Sequence, residues 1–519
     1  MHPAPTPSGT LCALLTRVAK VLCLSAAVNT FCLSAPSFAQ SDPASFVDKL
    51  RPRVWIGDAE ERYSLDQRMA DYDVPGVAVA IIDDGQVVLA SGFGVRQSGT
   101  TDPVDADTVF SAGSVSKVAT ASLVLRLVNA GALDLDAPIA TQLESWSLPD
   151  HPEFDETRIT LRTILSHTSG FNMHGFRDFQ PGDDLPSTID TLEGRSPAVN
   201  DPLTLLFEPG SEYKYSGGGY TLAQQIVDDV DPTADFDTIA NTHLLAPLGM
   251  TRSTFTNPLP PDHGNIAMAH NRDGTPVALP RGYEAFPERA ASGLWTSASD
   301  LANLVAALLA SYRDDDGFLP RSLAQDMMTP VSPSEHGLGP RIEGRDDVLL
   351  FHHGGVNSSY HAWIEGHLAT GDGLVILTNG ANGNGLITEI RNGVSDAMNW
   401  EINEPIRVPE IVLSAEQLLD YTGWYRVDTD FPYALRRIMI RRLFDQRIHI
   451  EADGERLTMT VDGDDGAIAL IPLSPNRFWI EGFGLRLGIA ELEFHRDAFG
   501  DTHSVTFHLP NASSHYVRD

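Results

Sequence analysis

Cysteine and lysine are both nearly missing from this chain. Its 519 residues include three cysteines, Cys12, Cys23 and Cys32, all within the first 39. In that segment Arg17 and Lys20 precede an apolar run from Val21 to Ala35, and Ser37-Phe38-Ala39 is a small-x-small site. This order of basic start, apolar middle and small-residue end makes residues 1–39 an expected signal peptide. The run is too short to span a bilayer as a stable helix, and no later run is long and apolar enough. None of the three cysteines has the context of a lipid-modified one. A mature chain from Gln40 onward therefore lacks disulfides, thiol nucleophiles and thiolate metal sites, although it is expected in the periplasm or outside the cell.

Basic residues are scarce as well. Lys and Arg number 36 against 70 Asp and Glu, for a net charge of −34. Such an acidic chain should repel nucleic acid and anionic membranes, which excludes both as expected partners. After the signal segment only Lys49, Lys117 and Lys214 remain, and arginine serves elsewhere. The sequence has no Gly-x-Ser-x-Gly, no phosphate loop and no dinucleotide fingerprint, so no cofactor is expected. His336, His352, His353, His361 and His367 cluster in sequence. They lack the His-x-x-x-His spacing of a helical zinc site and fall in strand-like runs, so no metal is expected either.

The remaining pattern is organised. Residues 40–73 read as a short linker and a helix marked by Phe46, Leu50, Trp55 and Leu65. Val77–Asp83 and Gln86–Gly94 flank Asp84-Gly85, a tight-hairpin signal. Val118 to Val128 is almost wholly apolar, as in a helix buried nearly all round, and Asn129 and Gly131 end it. Helices are expected at Leu161–Ser166, Tyr220–Val230, Phe236–Leu245 and Asp300–Ser311, the last with Ser299 as N-cap. Strands return at Val348–His353, Tyr360–Gly366 and Gly373–Thr378. Strands at both ends with helices between predict an α+β domain over 40–400, its antiparallel sheet closed by both chain ends around a helical insert. Residues 401–411, with Pro405 and Pro409, read as a linker. Over 412–519 the period changes to two, with short runs at Arg436–Leu443, Arg447–Glu451, Leu457–Val461, Ala467–Ile471, Arg477–Ile480, Glu491–His495 and Ser504–Leu509. This spacing predicts a small antiparallel barrel or sandwich.

Ser114 and Lys117 carry the chemistry. Three residues apart on a helix starting at Ser114, their side chains lie one turn apart on one face, at an end where N–H groups favour negative charge. A serine needs a neighbour to take its proton, and a desolvated lysine has the lowered pKa to do so. An arginine stays protonated and does not serve. The second Ser-x-x-Lys, Ser211 to Lys214, follows Pro209-Gly210 in a turn and opens no buried helix.

The stretch Phe110-Ser111-Ala112-Gly113-Ser114-Val115-Ser116-Lys117 resembles the nucleophile motif of serine β-lactamases and penicillin-binding proteins, most of all the class C, D-aminopeptidase and esterase branch. Ile159 through Leu165-Ser166-His167-Thr168-Ser169-Gly170 resembles a block of that branch. Tyr215-Ser216-Gly217 resembles its Tyr-x-Asn motif and His352-His353-Gly354-Gly355 its Lys/His-x-Gly strand. The resemblance implies Ser114 as acylated nucleophile, Lys117 as its base, Tyr215 as second base, and His353 on the substrate strand. It also implies an oxyanion hole of the Ser114 and Val356 backbone N–H groups, with Gly354 and Gly355 allowing close approach of substrate. Gly217 stands where the family has asparagine, and His353 replaces the lysine of true β-lactamases. Both departures favour a peptidase or amidase on small D-amino-acid or cell-wall-like peptides, then an esterase, then a β-lactamase. A non-catalytic penicilloyl-binding sensor or scaffold is the alternative of another class. His167 reads as a satisfied structural histidine. Leu418 through Tyr421-Thr422-Gly423-Trp424-Tyr425 resembles the opening of lipocalin-like barrels appended to such hydrolases.

Overall fold

The structure, a computed structural model, describes residues 41–179, 182–278, 286–314, 317–344, 348–400, 402–409, 411–428, 447–454, 456–462, 467–485, 488–509 and 512–519. The expected signal peptide and the expected strand Arg436–Leu443 lie outside these residues.

A central antiparallel sheet has the strand order Gln86–Gly94, Gly76–Asp83, Gly373–Thr378, His361–His367, Leu350–Val356, Arg341–Glu343. Strand Gly76–Asp83 pairs with its hairpin partner on one side. On the other it meets Gly373–Thr378, from Val77↔Thr378 to Ile82↔Gly373. Both ends of the α+β region thus close one sheet, as expected. The hairpin turns on Asp84 and Gly85, both at positive φ. Successive side chains of a strand point to opposite faces. Ala78, Ala80 and Ile82 enter one core with helices Ser116–Asn129, Gly217–Val230 and Ala298–Arg313. Val77, Val79 and Ile81 enter a second core with helix Gly383–Met398. A strand covered on both faces reads as an unbroken apolar run, as this one does.

Several local expectations change. Residues 40–73 are not one helix. They form a 3-10 turn Pro43–Asp48, a short strand Val54–Ile56 and a helix Leu65–Asp71. The cap of helix Ala298–Arg313 is Ser297, whose hydroxyl accepts from the Asp300 N–H, whereas the Ser299 hydroxyl donates to the Ala106 carbonyl. Helix Gly217–Val230 starts one turn earlier than expected, because Ser216 caps it through the Gly219 N–H and draws three glycines into the first turn. Helix Gly383–Met398 was not anticipated. Gly383 and Gly385 in its first turn mask a clear apolar stripe at Leu386, Ile390, Val394 and Ala397.

Beyond the sheet, eight strands close into an antiparallel barrel: Gly423–Val427, Ile448–Asp453, Arg456–Val461, Ile468–Ser474, Arg477–Leu485, Gly488–Arg496, Thr502–Leu509 and Ala512–Arg518. Tyr425↔Arg518 and Val427↔Tyr516 join first strand to last. Closure removes every free edge, and so selects the barrel over the sandwich. Residues 401–411 contain the strand Ile406–Val408, which pairs in parallel with Val54–Ile56. Val54 and Val408 from this ribbon form a small apolar cluster with Trp479 of the barrel.

One buried ion pair ties helix Gly383–Met398 to the sheet. Arg391 donates through Nε (2.9 Å) and Nη2 (2.5 Å) to Oε2 of Glu365, which is fully buried, and its guanidinium lies 4.4 Å over the Trp363 ring. Removing one partner leaves a buried charge uncompensated. Arg391→Met is therefore expected to cost about 3 kcal/mol in a denaturant titration, and Glu365→Gln added to it to recover part of that loss.

Candidate active site

The turn that carries Ser114 is built by close backbone approach. Ser114 lies in a 3-10 turn, Gly113–Val115, and the α-helix begins at Ser116. From Ser116 to Leu125 every residue is buried, and Gly131 (φ +73°) closes the helix beyond Asn129. The strand Leu350–Val356 presses on this turn. A Cβ on Gly355 would stand 1.9 Å from the Ala112 carbonyl oxygen and 3.2 Å from the Ser114 nitrogen. One on Gly113, which sits at φ +49°, would stand 3.0 Å from the Val356 nitrogen. Two glycines therefore bring the Ser114 and Val356 N–H groups together. Pairing of the outermost strand reaches Arg341↔His352, so among the described residues 353–356 have no strand partner along that edge.

The Lys117 amine donates to the Ser114 hydroxyl (3.2 Å) and to the Ala291 carbonyl (2.8 Å). It lies 4.9 Å from the Tyr215 ring centre and 5.6 Å from that of Tyr220. Burial lowers its pKa to about 7 against a partial pull upward from Glu288. Tyr215 is hydrogen-bonded to Ser114, yet burial raises its pKa above the ordinary phenol value. Near neutral pH the amine thus has a free form, and the phenol keeps its proton. A half-buried serine hydroxyl beside a free amine can be deprotonated without a metal or cofactor in the step.

Histidines wall Tyr215. The His167 ring lies 4.2 Å from it at 30°, His174 5.1 Å, His336 5.9 Å and His353 6.2 Å away. His167 is not fully satisfied as expected. Its Nδ1 accepts from the Ser216 N–H (3.0 Å), but its Nε2 is buried with no hydrogen-bond partner among the described residues. It therefore grips the residue after Tyr215 and stacks on the phenol, a placement no spacing in the sequence signals. His336 donates from Nδ1 to the Gly339 carbonyl and accepts from Arg341 at Nε2. Burial lowers its pKa to about 3 and holds His353 well below the ordinary range. His353 donates to the Gly354 carbonyl (2.7 Å), so it brings a neutral ring and no fixed cation. The other clustered histidines disperse. His352 stacks on Trp363, His361 meets the Ala381 carbonyl, and His367 lies against Trp400. Among the described residues no three His, Cys, Asp or Glu side chains gather as a metal site.

Gly217 has a physical cause. A Cβ there would lie 2.8 Å from Cε2 of Phe176 and 3.1 Å from the His174 carbonyl. The Gly217 N–H donates to that same carbonyl (3.0 Å). The segment before Phe179 thus fills the place of the asparagine side chain, and Asp178 pins it by accepting from the Ser358 N–H (2.8 Å) at the tip of the substrate-strand hairpin.

The Beta-lactamase family profile matches residues 64–393. The chain belongs to this family of serine hydrolases. It is 34% identical over 212 residues to penicillin-binding protein 4 of Amycolatopsis lactamdurans, covering 41% of this chain and 52% of that protein. It thus spans about half the length of that relative. It is 29% identical over 293 residues to esterase EstB of Burkholderia gladioli, covering 50% of this chain and 71% of the esterase. The octameric penicillin-binding protein homologue from Pyrococcus abyssi shares the fold at a TM-score of 0.54 and 20% identity, over 88% of this chain and 98% of that one.

Restoring the family's asparagine should fail sterically. Gly217→Asn is expected to lower stability by about 1–3 kcal/mol through overpacking, and Phe176→Ala in the same chain to relieve part of it, both read by thermal unfolding.

Proposed function

We propose that the protein is an exported serine hydrolase that forms an acyl-enzyme on Ser114 with a small peptide or amide. The observation that carries this reading is the Ser114 hydroxyl hydrogen-bonded to a buried Lys117 amine whose pKa lies near 7. Export rests on the composition of residues 1–39. No described helix is long and apolar enough to cross a membrane.

Lys117 takes the Ser114 proton as Oγ attacks the substrate carbonyl. The carbonyl oxygen gains charge between the N–H groups of Ser114 and Val356, dipoles already in place before the reaction. Tyr215, protonated and joined to Ser114, passes a proton to the leaving nitrogen and is refilled from Lys117. Water then reverses the steps: its proton goes to Lys117 through the same phenol, hydroxide attacks the ester, and Ser114 leaves protonated. The open strand edge at 353–356 suits a peptide backbone, which would add there as an extra strand. An ester is the second reading, supported by the esterase relative and by a cation-free strand at His353. A β-lactamase ranks third.

A fluorophosphonate probe and a labelled penicillin separate the outcomes. Wild type should be labelled and Ser114→Ala should not; equal labelling of both would sink the nucleophile assignment. A penicilloyl label that never turns over would favour a sensor. A panel of D-aminoacyl amides, short-chain esters and a chromogenic cephalosporin ranks the substrates. Because burial lowers the Lys117 pKa, its free amine prevails above about pH 7. The rate constant kcat/KM should therefore rise with pH through about 7 and fall below it, and Lys117→Arg should abolish the reaction across the range.

A further inference from the structure

A cavity of about 500 Å³ lies away from Ser114, and neither Lys117 nor Tyr215 lines it. Its walls are the last two turns of helix Gly217–Val230, the start of helix Thr188–Glu193 and the single-turn helix Arg289–Ser292. At 1.5 Å per residue, Gln224 to Asp228 stand about 10 to 16 Å along their helix from Gly217, so this space is separate from the one around Tyr215. Gln225, which lines it, is 7% exposed. Its Nε2 donates to the Ser145 hydroxyl (2.7 Å) and to Oδ1 of Asp229 (3.2 Å). A carboxylate only accepts, so these bonds fix the amide with its nitrogen toward Asp229 and leave Oε1 to the cavity. Among the described residues no group donates to that oxygen.

Two charged groups on the same walls are also short of partners. The Asp228 carboxyl meets the Phe236 N–H and, among the described residues, no donor side chain; burial raises its pKa to about 6. The Arg289 guanidinium donates no hydrogen bond among the described residues. The carboxylates beside it, on Asp237 and Asp235, stand 3.6 and 3.8 Å from Nη1, beyond hydrogen-bond reach. The remaining acid, Asp229, is satisfied by the Ser145 hydroxyl and by the Glu144 and Ser145 N–H groups. The cavity thus offers an amide oxygen and a carboxylate without donors, and a guanidinium without an acceptor.

We infer that this cavity is a binding site for a free α-amino acid, whose carboxylate pairs with Arg289 and whose ammonium donates to Asp228 and to Oε1 of Gln225. The inference goes beyond the reaction at Ser114 and does not depend on it. An ammonium has three donors and no acceptor, which suits two free acceptors, and a guanidinium fork matches a carboxylate. A simple cation leaves Arg289 unanswered, a simple anion meets Asp228, and a neutral polyol pairs neither charge. Leu185, Pro186, Pro232 and Pro287 supply apolar wall for a side chain. The site also adjoins the machinery around Lys117 through printed backbone contacts of one turn. Arg289 faces the cavity, the Ala290 N–H donates to Oε1 of Gln224 (3.1 Å), and the Ala291 carbonyl accepts from Lys117 (2.8 Å). An occupant held between Arg289 and Asp228 therefore ties that turn to helix Gly217–Val230 a second time.

Titration calorimetry of the full-length chain with leucine, each enantiomer in turn, tests this. Prior reaction of Ser114 with the fluorophosphonate keeps that site out of the measurement. One enantiomer or both should bind at one site per chain. Leucinol, which lacks the carboxylate, and isocaproate, which lacks the ammonium, should each bind at least about tenfold more weakly. Arg289→Gln and Asp228→Asn, their folding checked by circular dichroism, should weaken leucine by about the same factor or more. Absence of binding by either enantiomer up to about 10 mM overturns the inference. So does leucine binding that either folded variant leaves unchanged, and so does leucinol or isocaproate binding as tightly as leucine. If Arg289→Gln does not fold, Asp228→Asn and the two analogues decide in the same way. Failure of the hydrolase reading shows separately, as an unlabelled Ser114 in wild type, and the two substitutions still report whether leucine occupies this cavity.

Discussion

The burial of one amine governs this site. Lys117 is 2% exposed, inside a helix with hardly a solvated face. An ammonium there loses its hydration and, among the described residues, recovers a carbonyl and a hydroxyl as hydrogen-bonding partners, which is why its proton is weakly held. The surroundings follow from that constraint. The helix must be apolar to exclude water, the Ala290–Ala291 turn must offer a carbonyl, and Tyr215 and Tyr220 present ring faces that tolerate the cation when it forms. The rings of His167, His336 and His353 complete the enclosure and bring no competing positive charge.

The second constraint is distance between backbones. Gly113 and Gly355 let the Ser114 turn and the strand Leu350–Val356 approach closer than any side chain would permit. The site is therefore held mainly by main chain and by the two cores on either side of the sheet. Asn357 continues this bracing, donating to the Ser111 hydroxyl (2.9 Å) while its own carbonyl caps the Tyr360 N–H (2.8 Å). The groups that would meet substrate thus sit on elements anchored at several points, as a preorganised site requires.

Much of this was legible in the residues because it is local. The Ser114–Lys117 spacing, the buried helix, the Asp84-Gly85 turn and the apolar strand runs at both ends of the region all rest on short-range pattern. Tyr215 and His353 were legible as members of motifs; the Tyr215 phenol meets the Ser114 hydroxyl, and the His353 ring lies 6.2 Å from that of Tyr215. The rest comes from residues distant in sequence. Gly217 could be recognised as a departure, but its cause, the Phe176 ring, is a tertiary contact. The barrel's closing strands, Gly423–Val427 and Ala512–Arg518, are not among the expected runs because one is short and the other opens on Ala512-Ser513-Ser514, which carry no apolar alternation.

The sheet's pairing pattern also carries a consequence for how the chain is made. Strand Gly76–Asp83 buries one edge against Gly373–Thr378, and Arg51 is clasped by Asp396 through paired contacts of 2.7 and 2.8 Å. Neither partner exists until some three hundred residues later have been synthesised. Contacts this far apart in sequence form late, after a large loss of loop entropy. The amino-terminal third therefore emerges from the ribosome with one edge of its apolar strand unpaired, and the turn that carries Ser114 gains its neighbour, the strand Leu350–Val356, only when the last strands of the sheet arrive. Until then the exposed apolar strand and its unpaired edge are the kind of surface on which incompletely folded chains aggregate.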